Sequence, residues 1–246
     1  MVEIRTRDDV ELESPTLVEG LPGVGLVGKI AADHVVDELD MVEYGEITNE
    51  GLPPVAVFEN DERAVKSPMR LFAAPEADLV VLQSAVPIEA VQADVLVEAF
   101  TDWVVENDAT PIYLAGVAEE REPGEVPDVH GIATGEAGAL LDDAEVPPPA
   151  QTGMVQGPGG AFLQEAKERD VDAVGLLVQS DPRFPDPQGA QKLIDAGIEP
   201  IAGASIDTDR LVEEAEEIVE QREALMQQLQ QAAEEGQQVS TRGMFQ

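Results

Sequence analysis

Apolar positions along this chain follow two periods. Short compact runs at Thr16–Glu19, Asp78–Gln83 (DLVVLQ), Ile112–Val117 (IYLAGV) and Ala173–Gln179 (AVGLLVQ) predict strands buried on both faces. Met69–Ala73 and His130–Thr134 predict two more. Val55–Phe58 and Arg63–Lys66 flank the polar turn Glu59-Asn60-Asp61-Glu62 and predict a hairpin. Helical spacing governs Leu26–Leu39, where Leu26, Ile30, Val35 and Leu39 recur. It also governs Pro87–Asn107, with Ile88, Val91, Val95, Ala99 and Trp103 on one face. Ala161–Arg169 predicts a helix after the glycine loop Gly157–Gly160, and Gln188–Ala196 one capped by Gly197. Pro147-Pro148-Pro149 excludes helix interior and marks a long loop.

Strands alternating with helices predict an α/β fold: a single-domain layered core over residues 1–205, with a mostly parallel central sheet flanked by helices. The hairpin adds an antiparallel portion. Residues 206–236 predict a long C-terminal helix, with Asp207 as its N-cap. Its apolar stripe (Leu211, Ala215, Ile218, Leu225, Leu229, Ala232) is interrupted by Arg222 and suits packing on the core or on an oligomer partner. Gly236 ends it. Residues 237–246 carry no periodicity and predict a flexible tail ending in Met244, Phe245 and Gln246.

Charge narrows the partners. Fourteen Lys and Arg stand against 51 Asp and Glu, a formal net charge of −37. Such a surface repels phosphate backbones and anionic lipid, which argues against nucleic-acid and membrane partners. Scarce lysine (Lys29, Lys66, Lys167, Lys192) among abundant Asp, Glu, Ala and Val is the composition of a haloarchaeal, halophilic protein of the cytoplasm. With no cysteine, disulfides, thiolate metal ligands and thiol nucleophiles are excluded. The charged start MVEIRTRDDVE has no apolar signal-peptide core, and no apolar run approaches membrane-spanning length.

One motif carries candidate chemistry. GVGLVG places Gly23, Gly25 and Gly28 in the spacing G-x-G-x-x-G, between a short strand and a helix, with Lys29 next in line. One reading is a nucleotide- or phosphate-binding α/β enzyme using loop 23–28, with Lys29 on phosphate and Glu43 or Glu46 near the ribose-binding distance. The other is structural: the glycines allow a tight turn and close helix–strand packing. Lys29 is followed by Ile30, not Ser or Thr, so the loop is not a P-loop. Ser84 and Ser180 end buried strands, but neither lies in a G-x-S-x-G elbow. The two histidines, His34 and His130, form no metal-ligand spacing.

The run EGLPGVGLVGKIAADHVV, Glu19–Val36, resembles the opening motif of the proteasome assembly chaperone family in its archaeal branch. The match rests on Gly20, Pro22, Gly23, Gly25, Gly28 and Ile30-Ala31-Ala32-Asp33. GPGGAFLQEA, Gly157–Ala166, resembles that family's later glycine loop. The order of elements is similar over residues 14–235. The resemblance implies an α/β core, a homo-oligomer (trimer or tetramer), no catalysis and no cofactor. It also implies that a C-terminal hydrophobic–tyrosine–any-residue tail inserts between α-subunits of the proteasome core particle. Here the tail is Met244-Phe245-Gln246, with Phe245 in place of the tyrosine. The ring and the terminal carboxylate remain as an aromatic anchor and a charge-assisted contact.

Overall fold

The computed structural model describes residues 2–49, 55–60, 62–88, 90–119, 125–211 and 213. The helix expected over 206–236 lies largely outside these residues. The tail expected over 237–246, with Met244, Phe245 and Gln246, lies wholly outside them.

Eight strands form one sheet: β1 Val2–Thr6, β2 Thr16–Gly20, β3 Val42–Asn49, β4 Met69–Ala74, β5 Leu79–Ser84, β6 Thr110–Ala118, β7 Val129–Thr134 and β8 Ala173–Ser180, in the order β1-β3-β4-β5-β2-β6-β8-β7. The sheet is mixed, and the expectation of a mostly parallel one is corrected. The parallel pairs are β5–β2, β2–β6 and β6–β8, at the centre. The pairs β1–β3, β3–β4, β4–β5 and β7–β8 are antiparallel. The four compact apolar runs are the four central strands. Their residues alternate into two cores: Val18, Val81, Ile112 and Val174 face one side, Leu17, Val80, Leu82 and Tyr113 the other. Burial on both faces is why these strands show no polar alternation.

Helix α1 (Val27–Glu38) covers the first face, beside α3 (Gly138–Asp143) and α5 (Pro187–Leu193). Helices α2 (Ala90–Glu106) and α4 (Gly157–Glu168) pack together on the second face. The inward face of α2 is Leu96, Val97, Phe100, Trp103 and Val104, whereas Val95, expected inside, is about half exposed. Aromatic rings hold this layer. Tyr113 stacks on Phe162 at 5.3 Å between centroids, Phe162 meets Phe100 edge-on at 5.5 Å, and Phe100 stacks on Trp103 at 5.8 Å.

Four further boundaries differ from expectation. β1 and β3 pair along one edge where no strand was expected. The expected hairpin forms as an arm between β3 and β4, closed by one antiparallel bridge, Val57 to Lys66. Gly157–Gly160 is not a loop but the first turn of α4. Gly197 does not end a helix: α5 continues through a π-helical turn, Ile194–Ile198, into α6 (Glu199–Ala202). The stop is Gly203, in the left-handed region at φ 65°. No helix among the described residues is long and apolar enough to cross a membrane.

The aromatic layer sets a prediction for equilibrium unfolding in high salt. Phe162→Ala should cost about 3–5 kcal/mol. Val95→Ala, on the outer side of α2, should stay within about 0.5 kcal/mol.

Candidate functional site

The glycine turn sits where β2 ends. Gly20 closes the strand against α1: a Cβ there would stand 2.1 Å from the Ala32 Cβ and 2.9 Å from the Leu82 carbonyl oxygen. Val24–Leu26 then form a 3-10 turn in which Gly25 (φ 61°) and Leu26 (φ 53°) are both left-handed. A Cβ on Gly25 would lie 1.8 Å from Ser180 Oγ, and one on Gly28 3.2 Å from the Leu114 Cβ. The Gly25 carbonyl accepts the Asp186 amide at 2.9 Å. Gly116 of β6 completes the joint, with its Cβ position 2.4 Å from the Val24 carbonyl oxygen. Of the three fingerprint glycines, only Gly23 has open space at its Cβ position.

Topology adds to this. The strand that follows α1 is β3, antiparallel to its neighbours and three places from β2. A dinucleotide half-site needs a parallel neighbour there, with its acid near the turn. Glu43 of β3 instead accepts from Arg70 and Lys66, and Glu46 lies 4.0 Å from Arg5. Lys29 pairs with Asp33 one helical turn along α1. This packing supports the structural reading of Gly25, Gly28 and Lys29, and Gly23 alone of the motif is left uncrowded.

The other singled-out residues do not converge. Ser84 Oγ donates to the Val86 carbonyl at 2.7 Å. Ser180 Oγ is buried beneath the turn with no hydrogen-bond partner. His34, on α1, is buried: its Nε2–H donates to the Asp207 carbonyl at 2.6 Å, and Nδ1 accepts from the Arg210 guanidinium at 3.2 Å. A carbonyl only accepts and a guanidinium only donates, so one neutral tautomer satisfies both contacts. Arg210 also reaches Asp37 at 3.4 Å. Asp207 Oδ1 accepts the Asp209 amide, but the helical turn begins at Asp209, so Thr208 and not Asp207 holds the N-cap position, and Leu211 is buried in the core. The start of the C-terminal segment is thus fastened to α1.

Two features escaped sequence reasoning. Glu19, on β2, is buried opposite Tyr113 of β6. Its Oε1 accepts the Leu21 amide at 2.9 Å, while Oε2 and the Tyr113 hydroxyl have no partner. Burial pushes the Glu19 carboxyl up to about 8, against backbone hydrogen bonds from Leu21 and Leu114 that lower it. Burial, and then the nearby Glu19 charge, raise the Tyr113 hydroxyl. The second feature is a groove of about 520 Å³ on the second face, lined by Val117, His130, Ile132, Met154, Leu177 and Gln179 among others. The segment Pro149–Val155 closes one side. The polyproline run pointed to a loop, but nothing in the sequence brings residues 117, 132, 154 and 177 together.

The family model for the PAC2 family matches residues 17–226. The chain belongs to the PAC2 family. It is 27% identical over 215 residues to an uncharacterised protein of Methanocaldococcus jannaschii, covering 84% of this chain and 83% of that one. Its fold is similar to that of Pyrococcus furiosus PbaA, described as an archaeal homolog of proteasome-assembly chaperone (TM-score 0.81, 23% identity, 100% of this chain and 99% of that one). It is also similar to that of Pyrococcus furiosus PbaB, described as an archaeal proteasome activator (TM-score 0.72, 21% identity, 93% and 98%). The resemblance read from Glu19–Val36 is therefore borne out at the level of family and fold.

Two outcomes test the geometry. Gly25→Ala should destabilise by about 1–3 kcal/mol through its left-handed backbone and the crowding at Ser180, with or without any nucleotide. Chemical denaturation reads this. Glu19 keeps its proton in the folded state to about pH 8, whereas the unfolded carboxyl loses it near 4.5. Unfolding between those values releases a proton, so stability falls as pH rises, by at most about 1.4 kcal/mol per pH unit. Glu19→Gln should abolish that slope in a pH series of unfolding curves.

Proposed function

We propose that this protein is a non-enzymatic proteasome assembly chaperone or activator-like protein. Its partners are the α-subunits of the proteasome core particle, it works as a homo-oligomer in the cytoplasm, and it needs no cofactor. The observation that carries the reading is family membership over residues 17–226. The body-wide fold similarity to PbaA and PbaB adds to it. The crowding around Gly25 and Gly28 favours it over the nucleotide-binding alternative, because the turn's glycines are taken up by their own chain.

Contact with the α-ring is assigned to Met244, Phe245 and the Gln246 carboxylate. A ring-sized apolar anchor followed by a terminal carboxylate suits a pocket that offers an apolar wall and a cationic or amide donor. Each tail alone binds weakly, and several on one oligomer raise the effective concentration.

The experiment is a pull-down in high salt of α-subunits and core particles from the same organism. Full-length protein is set beside a form ending at Gly243. Loss of binding with an unchanged unfolding curve is the expected result. Phe245→Ala should weaken binding by about tenfold or more, as truncated aromatic anchors do. Undiminished binding by the shortened form would move the interface to the body, and no binding by either form would defeat the reading.

A further inference from the structure

The start of the C-terminal segment rests on one imidazole. His34 stands on α1, 2% exposed, and its two ring nitrogens bond residues 173 and 176 positions further along the chain. Nε2–H donates to the Asp207 carbonyl, and Nδ1 accepts from Arg210. Only a neutral ring does both, because an imidazolium donates from both nitrogens and a guanidinium never accepts. A second proton would sit on Nδ1, 3.2 Å from Arg210 Nη2. It would set donor against donor and charge against charge. Histidine is the side chain that ordinarily changes its charge between pH 5 and 8.

The surrounding acids favour that proton, and Arg210 opposes it. Asp37 and Glu38 follow His34 by three and four positions on α1, the spacing of one helix side. Asp195, from the π-helical turn, accepts the Thr208 hydroxyl at 2.9 Å, and Glu199, from α6, accepts the Ile206 amide at 3.1 Å. The segment itself brings Asp207, Asp209 and Arg210. Up to Thr208 the segment is therefore held by contacts that do not depend on the charge of the ring, and the Asp207 carbonyl suits either state of Nε2–H. Beyond Thr208 the turn Asp209–Leu211 meets α1 through Arg210, and it buries Leu211. The Arg210 side chain is half exposed, so leaving the ring strands no buried charge.

We propose that protonation of His34 turns Arg210 away from α1 and loosens the turn Asp209–Leu211, with Thr208 as the hinge, so that acid gates the root of the C-terminal segment. The undocked form takes up a proton that the docked form excludes, so undocking gains as pH falls. The body moves the other way: Glu19 keeps its proton when folded, and global stability rises as pH falls from about 8 toward 4.5. Local loosening under acid is thus separable from general weakening. Residues 214–246 follow this turn. The gate's use rests on the reading that Met244, Phe245 and Gln246 contact the α-ring, since it would set how that contact is presented. The gate itself needs no proteasome.

The test follows amide hydrogen exchange at residues 208–211 of the full chain in high salt, at about pH 7.5 and about pH 5.5. The intrinsic pH dependence of exchange is divided out. Opening of the turn should rise about tenfold at the lower pH, while the amides of β5 stay at least as protected. Arg210→Gln, a half-exposed position, removes the charge that the imidazolium would meet and should make the opening equal at both pH values. His34→Gln has no proton to gain and should do the same, with an unfolding curve to show that the body is intact. Equal protection of the wild-type turn at both pH values, or an acid effect that survives Arg210→Gln, would overturn the proposal. No proteasome is present, so a failed pull-down of α-subunits leaves the gate standing, and a failed gate leaves tail docking standing.

Discussion

The body depends on how closely the β2–α1 turn lies on the ends of β6 and β8. At Gly116 the approach is to a backbone carbonyl, and at Gly20 it is partly so, so no rotamer change can make room. Gly25 needs its left-handed backbone as well as its missing side chain. The turn caps the carboxyl ends of the central strands, the crevice in which open α/β sheets usually hold ligands. The open space at this end of the sheet lies on the other face, across β6, β8 and β7. There the groove forms, beside the Pro149–Val155 segment that leads into the first turn of α4.

Much of the fold was legible because the central strands are covered twice. DLVVLQ, IYLAGV and AVGLLVQ are buried on both faces, so their apolar runs are continuous and bounded. The edge was not legible. β1 is five residues with Val2 and Ile4 inward and charges between them, too short a pattern to separate from a charged terminus. β3 carries a register shift between Glu43 and Gly45, which breaks its alternation. Assuming a parallel sheet from alternating elements failed for the same reason: the chain leaves α1 to build an antiparallel margin rather than return beside β2. On α2 the apolar residues are dense enough for two stripes, and spacing alone could not choose between Val95 and Leu96.

The candidate site divides in the same way. The glycine motif was legible as a motif, and so was its family. Spacing cannot show what stands opposite a Cβ position, and that contact separates a phosphate cradle from a packed joint. Glu19 was legible only as one acid among 51. Its burial follows from a register that sets it beside Tyr113, under a helix whose first turn is Gly157-Pro158-Gly159-Gly160. The groove draws on residues far apart in the chain, and the Gln179–Glu119 bond at its rim spans 60 positions.

The few cations clarify what holds an acidic body together. Arg169 on the end of α4 reaches Asp102 of α2 at 2.7 Å, Arg70 ties the arm to β3 and β4, and Arg210 joins the C-terminal segment to α1. These bases join separate elements where like charges would otherwise push them apart. Salt screens the exposed pairs, which contribute little individually. The half-buried Arg70 pairs are shielded from that screening, and Arg70 also lies over the Phe72 ring at 5.0 Å. High salt therefore removes the repulsion between carboxylates while leaving the arm fastened.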